Sequence, residues 1–270
     1  MLFTDKLRAA QARANSWLCV GLDTDIAKIP AALRERDDAV VAFNRAIVEA
    51  TGDVVCAYKP NLAFYLARGR AGMDALADTV AAIPRDIPVI LDAKFGDIES
   101  SSQGYARFAF EVLGVDAVTV SPYLGADALA PFLAYEGRAI FVLAHTSNPS
   151  AQALQDAVVD GEPLYVRVAR MAAALDGKAE AGLVVGATFP NQLRNVRQAN
   201  PAAVFLIPGI GAQGGSLEET VAFGANAAGV GPVINASRSI LYASGGDDYA
   251  DAARAAAIKM RDEINLKRKT

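Results

Sequence analysis

Pro88-Val89-Ile90-Leu91-Asp92-Ala93-Lys94-Phe95-Gly96-Asp97-Ile98 runs from a short apolar stretch straight into a turn dense in charge. Pro88–Leu91 has no polar alternation, the pattern of a strand buried on both faces of a parallel sheet. Seven more such runs lie outward from it: Trp17–Leu22, Val54–Tyr58, Ala117–Val120, Ala139–Leu143, Gly182–Val185, Val204–Ile207 and Ala227–Val230. Helix-like stretches separate them, among them Asp38–Ala50, Asp74–Ile83, Gln103–Leu113, Leu164–Leu175, Asn191–Gln198 and Leu217–Phe223. An Ala-rich, charged helix is expected over Asp247–Lys267. Thr4–Ala14 reads as an extra helix before the first strand, with Thr4 as its N-cap. Eight strand–helix repeats in about 250 residues suggest an α/β fold of the (β/α)8 (TIM) barrel type. An open doubly wound sheet is the alternative. The count of eight, and the polar or Gly-rich residues after nearly every run, favour the barrel. No linker or composition break divides residues 1–270, so one domain is expected.

The composition narrows the function. Hydrophobic residues make up 53% of the chain and charged residues 21%, which excludes a disordered, solvating chain. A net charge of −4 weighs against a sequence-independent nucleic-acid binder, and still allows a local cationic pocket for an anionic small molecule. Cys19 and Cys56 sit inside apolar runs and read as buried free thiols. Met1–Lys6 lacks the pattern of a signal peptide, and no apolar run approaches the ~18–20 residues of a spanning helix. A soluble cytoplasmic protein without membrane or nucleic-acid partners is expected.

In a barrel, chemistry gathers where strands end. The densest charge follows the third strand. On an extended strand end Asp92 and Lys94, two apart, point the same way, and Lys59 ends the neighbouring strand within reach. Two lysines at one mouth need carboxylates between them; Asp92 supplies one, and Asp97 is a candidate for another. A structural ion-pair network is the alternative. The second cluster is Pro208-Gly209-Ile210-Gly211-Ala212-Gln213-Gly214-Gly215 with Ser237-Arg238. Glycines let backbone amides approach a ligand, helix starts after strands seven and eight commonly cradle phosphate, and Arg238 adds a fork of charged donors. Glycine turns with a surface arginine are the alternative. The lone histidine, His145, reads as structural. No Cys/His metal spacing, no nucleophile elbow and no N-terminal dinucleotide fingerprint is present.

These residues together resemble the orotidine 5′-phosphate decarboxylase family, in its longer bacterial branch. The resemblance rests on Asp92-Ala93-Lys94-Phe95-Gly96-Asp97-Ile98, joined in register by Gly21-Leu22-Asp23, Tyr58-Lys59-Pro60-Asn61, Ser121-Pro122-Tyr123, Pro208–Gly215 and Arg238-Ser239-Ile240. It spans nearly the whole chain. It implies a carboxy-lyase of pyrimidine biosynthesis that converts orotidine 5′-monophosphate to uridine 5′-monophosphate and CO2 with no cofactor and no metal. Lys59, Asp92, Lys94 and Asp97 match the family's alternating charge array, with Lys94 as proton donor to C6. Asp97 and Ile98 match residues that reach into the partner subunit's site, which implies a homodimer. Asp23 and Lys59 match ribose contacts, Ser147 a pyrimidine contact, and Gln213 and Arg238 phosphate contacts; Pro208 and Ser237 belong to the same substrate-binding set. Ser101 stands where the family often has threonine, and Phe95 where the branch often has arginine. A magnesium-dependent sugar-phosphate relative on the same barrel, and a catalytically dead phosphate-binding barrel, are the other readings.

Overall fold

The computed structural model describes residues 1–210 and 214–268. Eight parallel strands form the barrel: β1 Leu18–Gly21, β2 Ala57–Lys59, β3 Ile90–Phe95, β4 Ala117–Val120, β5 Ala139–His145, β6 Glu180–Val185, β7 Phe205–Ile207 and β8 Val233–Ala236. Each pairs with its chain neighbour, and β8 pairs with β1. Between β2 and β3 the contact is a pair of bridges, Tyr58 to Val89 and Asn61 to Asp92, with Asp92 N–H donating to the Pro60 carbonyl at 2.9 Å. The barrel expected from the repeats is the fold. The apolar runs are continuous because both strand faces are buried: one set packs against the helices, while Cys19, Ala57, Ile90, Ala117, Phe141, Val184, Leu206 and Val233 fill the barrel interior. Cys19 and Cys56 are buried free thiols, and burial pushes Cys19 up to about 12.

Helix Phe3–Ala14 plugs the bottom of the barrel. Its Phe3 ring meets Phe141 edge-on at 5.7 Å. Thr4 is not its N-cap. The helix starts one residue earlier, and the Thr4 N–H and hydroxyl both donate to Glu180 at the start of β6. A tertiary carboxylate has taken the role that a local cap would play. The closing helix is Tyr249–Arg268. No helix among the described residues is long and apolar enough to cross a membrane.

One further expectation needs correction. The eighth strand is Val233–Ala236, not Ala227–Val230. Residues 227–230 form a turn in which Gly229 adopts φ +73° and the Asn226 side chain accepts from the Ala228 and Val230 amides. Gly231-Pro232 then separates the turn from the strand. The short apolar run mimicked a strand, but its backbone groups are spent on that turn. The hairpin Val158–Val159 with Glu162–Pro163 was not anticipated, because two-residue strands carry no periodic signal.

Candidate active site

Strand alternation decides what the barrel mouth contains. Ala57, Ile90, Ala117 and Val233 point inward, so Lys59, Asp92, Thr119 and Asn235, two residues on, point inward one layer higher. These four line a cavity of about 380 Å³ at the C-terminal ends of the strands, with Asp23, Asn61, Lys94, Ser147, Pro208, Ser237 and Arg238 around them.

Asp92 is the hub. Its Oδ2 accepts from Lys59 Nζ at 2.9 Å, and its Oδ1 from Lys94 Nζ at 2.5 Å and from the Thr119 hydroxyl at 3.0 Å. Lys59 also stands 3.8 Å from Asp23 Oδ1. Lys59 is 3% exposed and Asp92 12%, whereas Lys94 is 48% exposed. Burial alone would lower the Lys59 pKa, but the Asp92 and Asp23 carboxylates outweigh it and hold the ammonium above its ordinary value. Burial alone would likewise raise Asp92, but Lys59 and Lys94 outweigh it and hold the carboxyl well below the usual carboxylate range. Lys59 and Asp92 are therefore both charged at neutral pH.

Lys94 reaches this position by a route the residue spacing does not predict. Strand alternation would place Asp92 and Lys94 side by side, but the ladder between β3 and β4 shifts register between Leu91 and Phe95, and Lys94 takes φ +53°. A left-handed non-glycine residue costs roughly 1–2 kcal/mol. Thr119 Oγ1 holds it there, accepting the Ala93 and Lys94 N–H groups at 3.0 and 2.9 Å.

Asp97 does not join the array within one chain. Its carboxylate accepts its own chain's Ile98 N–H, its carbonyl accepts from Ser102, and it does not line the cavity. Ile98 is 55% exposed. Ser101 lies apart from the cavity, in an apolar groove with Leu66, Phe95 and Tyr105.

The side of the cavity where phosphate is expected is built from two strand ends. After β7, Gly209 adopts φ +102° and its carbonyl accepts the Gly215 N–H at 3.1 Å, so the glycine-rich loop is pinched at its base. A β-carbon at Gly215 would lie 2.7 Å from that carbonyl. Gly209 and Ile210 line the cavity, but helix Leu217–Gly224 beyond the loop does not reach it. Gln213, expected on the phosphate, lies outside the described residues. After β8, Ser237 and Arg238 line the cavity, and the Arg238 guanidinium has no partner among the described residues.

His145 is buried at the end of β5, edge-on to Tyr165 and Phe189, with Nε2 3.1 Å from Asp156. The next residue, Thr146, is fixed by Gln155, which accepts its N–H at 2.8 Å, and this sets the loop carrying Ser147. Sequence reading missed Thr119 and Asn235 as site residues. Two-residue alternation from Ala117 would have found Thr119; the misplaced eighth strand hid Asn235.

The orotidine 5′-phosphate decarboxylase / HUMPS family model matches residues 16–255. A Thermomicrobium roseum protein named orotidine 5′-phosphate decarboxylase is 52% identical, covering 100% of this chain and 97% of its own. An Azoarcus protein of the same name is 50% identical, covering 99% of this chain and 100% of its own. The structure of Leishmania donovani OMP decarboxylase superposes with a TM-score of 0.86 at 40% identity and covers all of both chains. With the charge array at the mouth of the same barrel, these likenesses establish that the chain belongs to the orotidine 5′-phosphate decarboxylase family.

Proposed function

We propose that this chain decarboxylates orotidine 5′-monophosphate to uridine 5′-monophosphate, with Lys94 as the proton donor to C6. The observation that carries the reading is the Lys59–Asp92–Lys94 array, in which one buried carboxylate sits within hydrogen-bond distance of two lysine side chains. The C6–carboxylate bond breaks, CO2 leaves, and the electron pair stays on C6. No adjacent carbonyl delocalises that pair fully, so the protein must stabilise it electrostatically with a preorganised charge. Lys94 Nζ supplies the positive charge, gives C6 a proton, and is reprotonated from water. Asp92 holds Lys94 protonated and in place, and Lys59 keeps Asp92 anionic. Ser147 holds the pyrimidine, Asp23 and Lys59 the ribose, and Pro208, Gln213, Ser237 and Arg238 the phosphate side. Phosphate binding far from C6 supplies energy that orders the site.

The active species in this reading is a cytoplasmic homodimer. Asp97 and Ile98 do not line their own cavity, Ile98 is exposed, and Phe64, Leu66 and Tyr105 add exposed apolar surface on neighbouring segments. Asp97 and Ile98, with Ser101, would complete the partner's site, Asp97 setting a second carboxylate beside Lys94.

Loss of orotidylate absorbance on adding purified protein in EDTA tests the reaction. Turnover that survives chelation is expected; turnover that needs magnesium would favour a sugar-phosphate relative. Mixing inactive Lys94→Ala with inactive Asp97→Ala chains tests the shared site. A statistical mixture holds half heterodimers with one intact site each, so up to about a quarter of normal activity is expected. A dead mixture with heterodimers verified by mass spectrometry would place Asp97 outside the partner's chemistry.

A further inference from the structure

Asn235 lines the cavity, and neither the array nor the expected phosphate side explains its side chain. It sits on β8 opposite Cys19 of β1 and is 8% exposed. Its Nδ2 donates to Ser237 Oγ at 3.3 Å, while its Oδ1 is buried without a hydrogen-bond partner among the described residues. Val184 and Leu206, which also line the cavity, show that its wall accepts apolar side chains. An apolar residue at 235 would leave no orphan oxygen, and a buried unsatisfied acceptor opposes folding. β8 lies against β1 here because Gly21 has no side chain: a β-carbon there would fall 2.0 Å from Ser237 Oγ and 3.1 Å from Asn235 Oδ1. On the β1 side of the same cavity, Asp23 Oδ1, 3.8 Å from Lys59 Nζ, is a second buried acceptor without a hydrogen-bond partner among the described residues.

We propose that Asn235 is a further nucleotide-binding residue, whose Oδ1 accepts a hydrogen bond from a ribose hydroxyl of the ligand. The assignment follows from which groups can donate. A phosphate dianion offers acceptors only. The pyrimidine offers one donor, N3–H, and Ser147, the pyrimidine contact, follows β5, well around the barrel from β8. The ribose offers two hydroxyls, and the neighbouring ends of β1 and β8 offer two orphaned acceptors, Asp23 Oδ1 and Asn235 Oδ1. This inference rests on the nucleotide reading of the site and extends it to a residue that helps select ribose.

Calorimetric binding of uridine 5′-monophosphate and its 2′-deoxy and 3′-deoxy analogues to wild type, Asn235→Ala and Asn235→Leu tests it. Leucine keeps most of the side-chain volume, so loss of the amide is separated from loss of packing, and thermal melting verifies both folds. Each variant is expected to bind uridine 5′-monophosphate about tenfold more weakly, the loss of one hydrogen bond. The analogue lacking the contacted hydroxyl, bound about tenfold more weakly than the parent by wild type, should be bound as well as the parent by the variants. Unchanged affinity in a folded variant, or deoxy penalties that persist in full, would overturn the role of Asn235 while leaving the nucleotide reading intact. Failure of wild type to bind the nucleotide at all would overturn both.

Discussion

Asp92, Lys59, Lys94 and Thr119, at the ends of β2, β3 and β4, all have partners inside the chain; Asn235 and Arg238, at and just beyond the end of β8, and Asp23 beyond β1 each keep a group without a hydrogen-bond partner among the described residues. Both walls face the same cavity. The first is a closed circuit in which each charged group has a partner of opposite charge and Lys94 is held at a left-handed backbone angle. The second has acceptors and a guanidinium without partners among the described residues. The difference teaches a division of labour. A wall that must stabilise developing charge gains from being ordered before the reaction, since it then reorganises little. A wall that must recognise a ligand gains from leaving its hydrogen bonds for the ligand to make.

The sharpest way to break the comparison is at the closed wall. Lys94→Ala should reduce turnover of orotidylate to background while the protein melts near the wild-type temperature, because half-exposed Lys94 contributes chemistry rather than packing. Near-normal turnover in a folded variant would remove the array from the reaction.

The open wall should respond in proportion to one contact. Arg238→Ala is expected to raise KM and also lower kcat/KM by ten- to a hundredfold or more, as a charge-assisted contact is worth roughly 1.5–3 kcal/mol. Its stability should be unchanged, since the guanidinium has no partner among the described residues. Steady-state kinetics and a urea titration separate the two.

Thr119→Val asks whether the closed wall depends on the strand beside it. Two amides lose their acceptor and Asp92 a donor, so stability should fall by about 1–3 kcal/mol. Lys94 loses its backbone clamp, so kcat should fall more than KM rises. A pure KM effect would show that Thr119 serves the ligand and not the lysine.

The smallest expected effect lies outside both walls, at His145 on the end of β5. Burial lowers its pKa below 6.5 even with Asp156 beside it. Between the folded and unfolded values the unfolded chain binds more protons, so this contribution to stability is fully present above about 6.5 and is lost as pH falls through that window. His145 is the chain's single histidine, so one ring resonance should titrate below the unfolded value. His145→Gln should flatten the stability profile between roughly pH 7 and 5, the window set by a histidine's ordinary pKa. A resonance titrating above 6.5 would make Asp156, not burial, the dominant neighbour.

The sequence by itself determined the barrel, because continuous apolar strands are what burial on both faces requires and eight of them alternate with helices. It also determined the array: Lys59, Asp92 and Lys94 stand at strand ends, and like charges so close demand a carboxylate between them. Four features had to wait for the tertiary structure, for one reason. The Thr4 contacts come from Glu180, far along the chain. The left-handed turn at Lys94 is held by Thr119 on the next strand. The eighth strand is displaced to Val233–Ala236 because Asn226 commits the preceding apolar run to a turn. Asn235 enters the cavity only once that displacement sets its alternation. Local pattern reports what a segment can bury. Which backbone groups are already committed to partners distant in the chain is decided only when the barrel closes.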